Sequence, residues 1–198
     1  MKPLFKNLIY LVLIGAAVFF FLRTKSKNQL HENGAAEFMT NIKAGVKNQA
    51  GFANFYSFDG YNMEELKAKE VIDVTSNKTM LLKDVLTKEN LFINFWFKGC
   101  HGCEAEMPDV EQFYTKDKQQ IQFAILSNDS PEAVRKYVAQ NNFTLPFYVF
   151  KDGDFPSGIN IFPTSHLIVK NKTAFEYAGM GYYVSPVFGN YVDSLLAK

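Results

Sequence analysis

The sequence predicts an α/β fold, a central mixed β-sheet sandwiched by helices. Three observations carry this. LFINFWF (residues 91–97) and IQFAILS (121–127) are continuous apolar runs too short for helices, as expected of strands covered on both faces. Between them Met107, Val110, Phe113 and Tyr114 recur at three- and four-residue spacing, the stripe of a helix, and strand–helix–strand implies a parallel pair. Further on, FPTSHLIV is followed by a turn at Asn171 and Lys172 and then by AFEY, an antiparallel hairpin that makes the sheet mixed.

The remaining elements follow in chain order. Leu8 to Leu22 reads LIYLVLIGAAVFFFL, uncharged between Lys2 and Lys6 on one side and Arg23, Lys25 and Lys27 on the other. With part of Pro3 to Asn7 it reaches roughly 17–19 residues, near the short end of a bilayer span. Neither a small-x-small cleavage site nor a lipobox cysteine follows, so residues 1–27 are expected to be an uncleaved N-terminal membrane anchor. Residues 28–69 read as a stalk that partly docks, with a weak helical period in Phe38, Met39, Ile42 and Val46 and a Gly/Phe/Tyr/Asn patch from Gly51 to Asn62. His31 there reads as a solvated surface histidine.

Residues 70–198 are the expected folded domain. VIDVTSNKTMLL forms a small hairpin turning at Ser76, Asn77 and Lys78, followed by a helical turn around Lys83 to Leu86. After IQFAILS, Ser130 as N-cap and Pro131 at the first helical position open a helix with Val134, Tyr137 and Val138 inward, ended by Asn141 and Asn142. Phe147–Phe150 is a short strand, and the loop KDGDFPSGIN leads into FPTSHLIV. The last helix opens at Ser185 and Pro186, with Val187, Tyr191, Val192, Leu195 and Leu196 expected to close the second face of the sheet. GMGYY, residues 179–183, is an incomplete glycine fingerprint and reads as the turn into that helix.

Composition narrows the function. The 198 residues carry a formal net charge of +1 with acidic and basic residues interleaved, so nothing tracks a phosphate backbone and nucleic acid is not expected as a partner. The chain has two cysteines, Cys100 and Cys103, in the stretch NFWFKGCHGCEAEMP; a core of this size needs no disulfide framework, so the pair matters locally. The spacing suits a metal clip, a small structural disulfide or a redox pair. Cys100 at a helix start faces orphan N–H groups and the positive end of the dipole, placements that lower a cysteine pKa from about 8.5 to between about 3.5 and 7.5. Cys103 falls on the same helix face one turn deeper, and Glu106 one turn deeper again.

A strand, a C-x-x-C at a helix start, a βα crossover, a Pro-Thr entering a strand, a hairpin and a terminal helix resemble a thioredoxin-like domain. More narrowly, residues 71–198 resemble the membrane-anchored TlpA/ResA-like thiol-disulfide oxidoreductases of the redoxin (AhpC/TSA) superfamily. Asn94, Phe95 and Trp96 match that family's strand, Cys100 and Cys103 its cysteines, Glu106 and Pro108 its C-x-x-E-x-P tail, and Pro163 with Thr164 its cis-proline and following residue. The resemblance implies Cys100 as nucleophile, Cys103 as resolving thiol and Glu106 as proton carrier. It further implies His101, Trp96 and Asn94 as tuning residues, Phe162, Pro163 and Thr164 as the substrate-binding edge, and no cofactor beyond the Cys100/Cys103 pair. Gly99 and Gly102 depart from it, standing where the family usually has Trp and often Pro, which leaves the active loop less screened.

The alternative reading is a thioredoxin-like copper chaperone using Cys100, Cys103 and His166, since soft thiolates suit Cu(I); those proteins space their cysteines by three residues rather than two. Zinc is disfavoured because adjacent Cys100 and His101 point apart on a helix. The expected protein is therefore a bacterial inner-membrane exchange enzyme with its domain on the periplasmic or extracytoplasmic side. It would act on disulfide- or dithiol-containing proteins such as apocytochrome c and be reduced by an upstream membrane thiol reductase.

Overall fold

A computed structural model describes residues 3–47 and 60–197, with the backbone alone for residues 3–11, 27, 28 and 30. Most of the expected 51–62 patch therefore lies outside the described residues. In chain order the elements are α1 (Pro3–Lys43), α2 (Met63–Ala68), β1 (Glu70–Asp73), β2 (Thr79–Leu81), α3 (Leu82–Val85), β3 (Leu91–Trp96), α4 (His101–Asp117), β4 (Gln122–Ser127), α5 (Pro131–Asn141), β5 (Phe147–Phe150), β6 (Thr164–Val169), β7 (Lys172–Ala178) and α6 (Pro186–Leu196).

The sheet runs β2-β1-β5-β4-β3-β6-β7, with β3, β4 and β5 parallel and every other pair antiparallel. Both central apolar runs became strands because neither face of this sheet meets water: all six residues of β3 are buried. The β3-α4-β4 and β4-α5-β5 crossovers step in the same direction along the sheet, so right-handed connections place α4 and α5 on one face. Ser130 caps α5 by accepting from the Ala133 N–H at 3.2 Å, and Asn142 ends it in the left-handed conformation. The β6–β7 turn is formed by Lys170 and Asn171, both at positive φ, one residue earlier than the sequence suggests.

One expectation needs correction. The last helix does not close the second face: Phe188 and Val192 of α6 enter the same cluster as Met107, Val110 and Phe113 of α4, and the Phe113 and Phe188 rings meet edge to face at 5.2 Å. The opposite face is covered instead by Leu66 of α2, Leu82 and Val85 of α3, and Ile159 and Ile161 of the segment before β6. Helical periodicity identifies an apolar stripe but carries no information on which sheet face the preceding turn delivers it to. The stripe itself is also shifted, because Val187 is 51% exposed while Phe188 and Val192 are fully buried.

The N-terminal segment is helical over Pro3–Lys43. α1 is one continuous helix of 41 residues. Its C-terminal part docks on the domain, burying Ala35, Phe38, Met39 and Ile42 while Val46 stays exposed. Phe38 meets the rings of Phe175, Tyr177, Tyr182, Tyr183 and Phe188 at centroid distances of 5.1 to 6.4 Å. Toward the other end Val12, Leu13, Ile14, Val18 and Phe19 to Leu22 are each more than half exposed. Among the described residues no helix is long and apolar enough to cross a membrane. The apolar run from Leu8 to Leu22 is 15 residues, about 22 Å of helix against a hydrocarbon core of about 30 Å.

Because Phe38 is buried among five aromatic rings, Phe38→Ala should cost about 3 kcal/mol or more, read as a lowered midpoint in urea denaturation of the full chain. A variant as stable as the wild type would show that α1 adds nothing to the core.

Candidate active site

Residues 97–100 leave β3 and enter α4 through a tightly tied loop. The Lys98 N–H donates to Asp129 Oδ2 at 2.6 Å, and the Gly99 N–H donates to Glu104 Oε1 at 2.9 Å. Gly99 sits at φ +88°, a conformation a Cβ disfavours, so this backbone suits glycine where the resembled family carries tryptophan. Cys100 is the N-cap of α4, and its Sγ accepts from the Cys103 N–H at 3.2 Å. Its sulfur thus stands among the unpaired N–H groups of the first helical turn. Cys100 and Cys103 are joined in a disulfide. Cys100 is partly exposed and Cys103 fully buried, an arrangement that lets an incoming group reach one sulfur only.

Beside the pair lies the start of β6. The Phe162–Pro163 peptide is cis, as the resemblance implies, and a Cβ on Gly102 would stand 3.4 Å from Pro163 Cδ. Phe162 is half-buried and its ring packs edge to face on Phe97 at 5.1 Å and tilted on Phe155 at 4.7 Å, which gives this edge an aromatic surface. Thr164 does not belong to that surface. It is fully buried, and its hydroxyl donates to the Ile161 carbonyl at 2.6 Å, so its side chain holds the loop.

Glu106 lies beneath Cys103, 1% exposed, with a donor on each oxygen: Asn94 Nδ2 on Oε1 at 2.8 Å and the Gly181 N–H on Oε2 at 2.7 Å. Asn94 Nδ2 also donates to Ser165 Oγ at 2.8 Å, which accepts from the Tyr183 hydroxyl at 2.7 Å. Burial raises the Glu106 carboxyl to about 8; the two N–H donors oppose the shift and Asp109 adds to it. Burial likewise holds the Tyr183 phenol well above its usual value, with Glu106 adding to the effect.

Ser165, Gly181 and Tyr183 were not anticipated. The signal for the first was a polar residue inside the apolar run TSHLIV, paired in register with Asn94, the polar residue inside LFINFWF. GMGYY, read as a mere turn, supplies the other two. Trp96 is fully buried, tilted over Tyr137 at 4.9 Å and edge to face with Phe147 at 5.5 Å, and its indole N–H has no hydrogen-bond partner among the described residues. His101 is exposed at the first helical position.

His166 is separated from the cysteines. It follows Ser165 in β6 and so points to the opposite sheet face, where Nδ1 meets the Tyr61 hydroxyl and Nε2 the Thr173 hydroxyl, each at 2.9 Å. Burial lowers its ring to about 4, with Lys47 adding to the shift. The copper site of Cys100, Cys103 and His166 is thus not assembled, and among the described residues no group of three or more His, Cys, Asp or Glu side chains could hold a metal ion. His31 is exposed, as expected, and its ring also stands edge to face with Tyr182 at 5.2 Å, with Nε2 3.7 Å from Asp109 Oδ2.

A disulfide capping a helix that follows the central strand of a mixed sheet, with a cis-proline strand alongside, defines a thioredoxin-like thiol-disulfide oxidoreductase. Residues 60–158 match the AhpC/TSA family, and the chain belongs to that family. It is 32% identical over 138 residues to the thiol-disulfide oxidoreductase ResA of Bacillus cereus, covering 64% of this chain and 79% of the relative. The ResA of Oceanobacillus iheyensis aligns over 85% of this chain and 76% of its own length at 23% identity. Among solved structures, a thiol:disulfide interchange protein from Bacteroides sp. superposes with a TM-score of 0.53 at 21% identity, covering 66% of this chain and 86% of that one. The thioredoxin domain of a thiol-disulfide oxidoreductase from Bacteroides vulgatus gives 0.52 at 19% identity over 71% and 99%. At those identities the two structures speak for the fold alone.

The Glu106 carboxyl has its pKa raised from the ordinary 4.5 to about 8 on folding. Between those values the folded state binds a proton the unfolded chain has lost, so stability falls as pH rises through the window, by on the order of 1 kcal/mol per pH unit from this group. Glu106→Gln should flatten that part of the stability–pH profile of the oxidised protein, measured by chemical denaturation from pH 5 to 8. An unchanged slope would place the carboxyl's titration elsewhere.

Proposed function

We propose that the chain is a membrane-tethered thiol-disulfide oxidoreductase that reduces disulfides in extracytoplasmic proteins through its Cys-His-Gly-Cys pair, cytochrome c maturation being a setting in which such a reductant acts. The observation that carries the reading is the graded exposure of one column of α4: Cys100 open at the helix tip, Cys103 buried behind it and Glu106 buried deeper.

Starting from the reduced pair, the Cys100 thiolate, favoured by the helix N-terminus, attacks one sulfur of a substrate disulfide. A Cys100–substrate disulfide forms and the second substrate sulfur leaves as thiolate, to be protonated from solvent. The Cys103 thiol passes its proton to the Glu106 carboxylate and attacks Cys100 Sγ. The Cys100–Cys103 bond closes, the remaining substrate sulfur leaves as thiolate and takes up a proton, and two electrons have moved to the substrate. A dithiol donor on the membrane restores the reduced pair by the reverse exchange. The backbone at Phe162, beside the cis-proline, is the edge along which an extended substrate segment would lie, with the Phe97, Phe155 and Phe162 rings as its apolar floor.

The tether reading rests on the apolar side chains that α1 leaves exposed between Val12 and Leu22, followed at once by Arg23 and Lys25. A run this short inserts by thinning the bilayer or by drawing flanking lysines toward the headgroups. A membrane-bound dithiol is useful where disulfides form and must be edited, which places the domain on the extracytoplasmic side.

Insulin reduction by the full chain in detergent tests the reading. Cys100→Ser should be inert, Cys103→Ser should accumulate a mixed disulfide visible by mass, and Glu106→Gln should slow the second step by about tenfold or more. A reduction potential near about −270 mV marks a reductant, and one near about −120 mV an oxidant. Wild-type turnover by Cys100→Ser would end the proposal.

A further inference from the structure

The end of α1 that docks on the domain lies directly on the turn that holds Glu106. Gly34 makes the approach possible: a Cβ there would overlap the phenol of Tyr182, so the helix backbone rests on that ring. One turn earlier His31 meets the same ring edge to face at 5.2 Å and reaches Asp109, three residues beyond Glu106 in α4. One turn later Phe38 touches the rings of both Tyr182 and Tyr183, at 6.4 and 5.8 Å. Tyr182 is therefore gripped by successive residues along one face of α1.

Its two chain neighbours are the groups that hold the carboxyl. Gly181 donates its N–H to Oε2, and Tyr183 donates to Ser165, which fixes the Asn94 amide on Oε1. The turn is wound closely, since a Cβ on Gly181 would overlap the Tyr183 ring, so residues 181 and 183 shift together when Tyr182 shifts.

We propose that Gly34 and Tyr182 are positioning residues, through which the seating of α1 on the 181–183 turn holds both oxygens of Glu106 in place for the exchange reaction. Neither residue touches a reacting atom. The membrane-proximal helix is thereby part of the active-site scaffold. The inference rests on Glu106 accepting the Cys103 proton, as proposed above. The titratable groups that face Glu106 are Asp109 on its own helix and Tyr183 from the turn; around them, His31 of α1 faces Asp109, and Glu37 of α1 faces Tyr182.

Gly15 gives an internal control, being a glycine of the same helix with nothing within 4 Å of a Cβ. Gly34→Ala and Gly15→Ala have the same small helix-favouring effect in isolation. The experiment follows the pH dependence of mixed-disulfide resolution in single turnovers of the full chain in detergent, with Glu106→Gln and Tyr182→Ala alongside. Losing the Gly181 donor disfavours the carboxylate. Gly34→Ala and Tyr182→Ala should therefore raise the midpoint of the profile by about half to one unit, slowing resolution at pH 7 by about three- to tenfold. Gly15→Ala should match the wild type. Should Gly34→Ala unfold, Tyr182→Ala, which relieves the seat without crowding, carries the test. An unmoved midpoint in the folded variants overturns the inference. A Glu106→Gln variant with the wild-type rate and profile instead overturns the proton-acceptor reading on which it stands.

Discussion

A carboxyl group without water around it has to be held by protein groups whichever way its proton goes, and the site of this protein is organised by that requirement. Glu106 takes one N–H from the side chain of Asn94 in β3 and another from the backbone of Gly181 after β7. Asn94 is itself fixed by Ser165 in β6, and Ser165 by Tyr183. Three segments, β3, β6 and the turn after β7, thus converge on two oxygen atoms one helical turn from Cys103. Removing any one link leaves a buried polar group unpaired, and that costs more than the link contributes when made. The network consequently ties the register of the β3–β6 pair, in which Asn94 stands opposite Ser165, to the chemistry at the helix tip.

Much of this architecture was legible in the sequence because local signals and tertiary demands agree. The continuous apolar runs of β3 and β4, the Ser-Pro helix starts at Ser130 and Ser185 and the Pro-Thr entering β6 state their roles within a few residues. Cys100 and Cys103 stood out as the two cysteines of the chain, and Glu106 continued their three-residue spacing while matching the resembled family's tail. The misreadings have a common cause. The sheet face taken by α6, the burial of Thr164 and the contribution of Gly181 are all decided by how a turn folds back in space, and no periodicity records that. His166, a copper ligand only in the alternative reading, is decided in the same way: proximity to Pro163 in sequence says nothing of sheet parity, and one residue of strand is enough to put it on the far face.

The N-terminal helix joins two environments that ask opposite things of it. From Val12 to Leu22 its apolar side chains are exposed, whereas beyond Arg23 charged and polar residues alternate with a buried stripe from Ala35 to Ile42. A continuous helix across that boundary is stiff, so the domain is held at a short, defined distance from whatever takes up the apolar end. Gly34 stands at the point of closest approach between this helix and the domain. There the loss of helix propensity that glycine brings, about 1 kcal/mol relative to alanine, is offset by contact with Tyr182 that no larger residue permits.

Asn94 shows how one side chain suits a carboxyl in either protonation state. A primary amide offers donors on one side and an acceptor on the other. With the donor toward Glu106, as observed, it stabilises the carboxylate. Turned by 180°, it presents its carbonyl to the protonated acid, while the Ser165 hydroxyl, able to donate as well as accept, follows the reversal. In the arrangement observed, Asn94 Oδ1 has no hydrogen-bond partner among the described residues, so the donor end of the amide does the holding. A charged residue at this position would lock the carboxyl into one state and an apolar one would leave it unheld in both, which is the physical reason for a neutral amide inside an otherwise apolar strand.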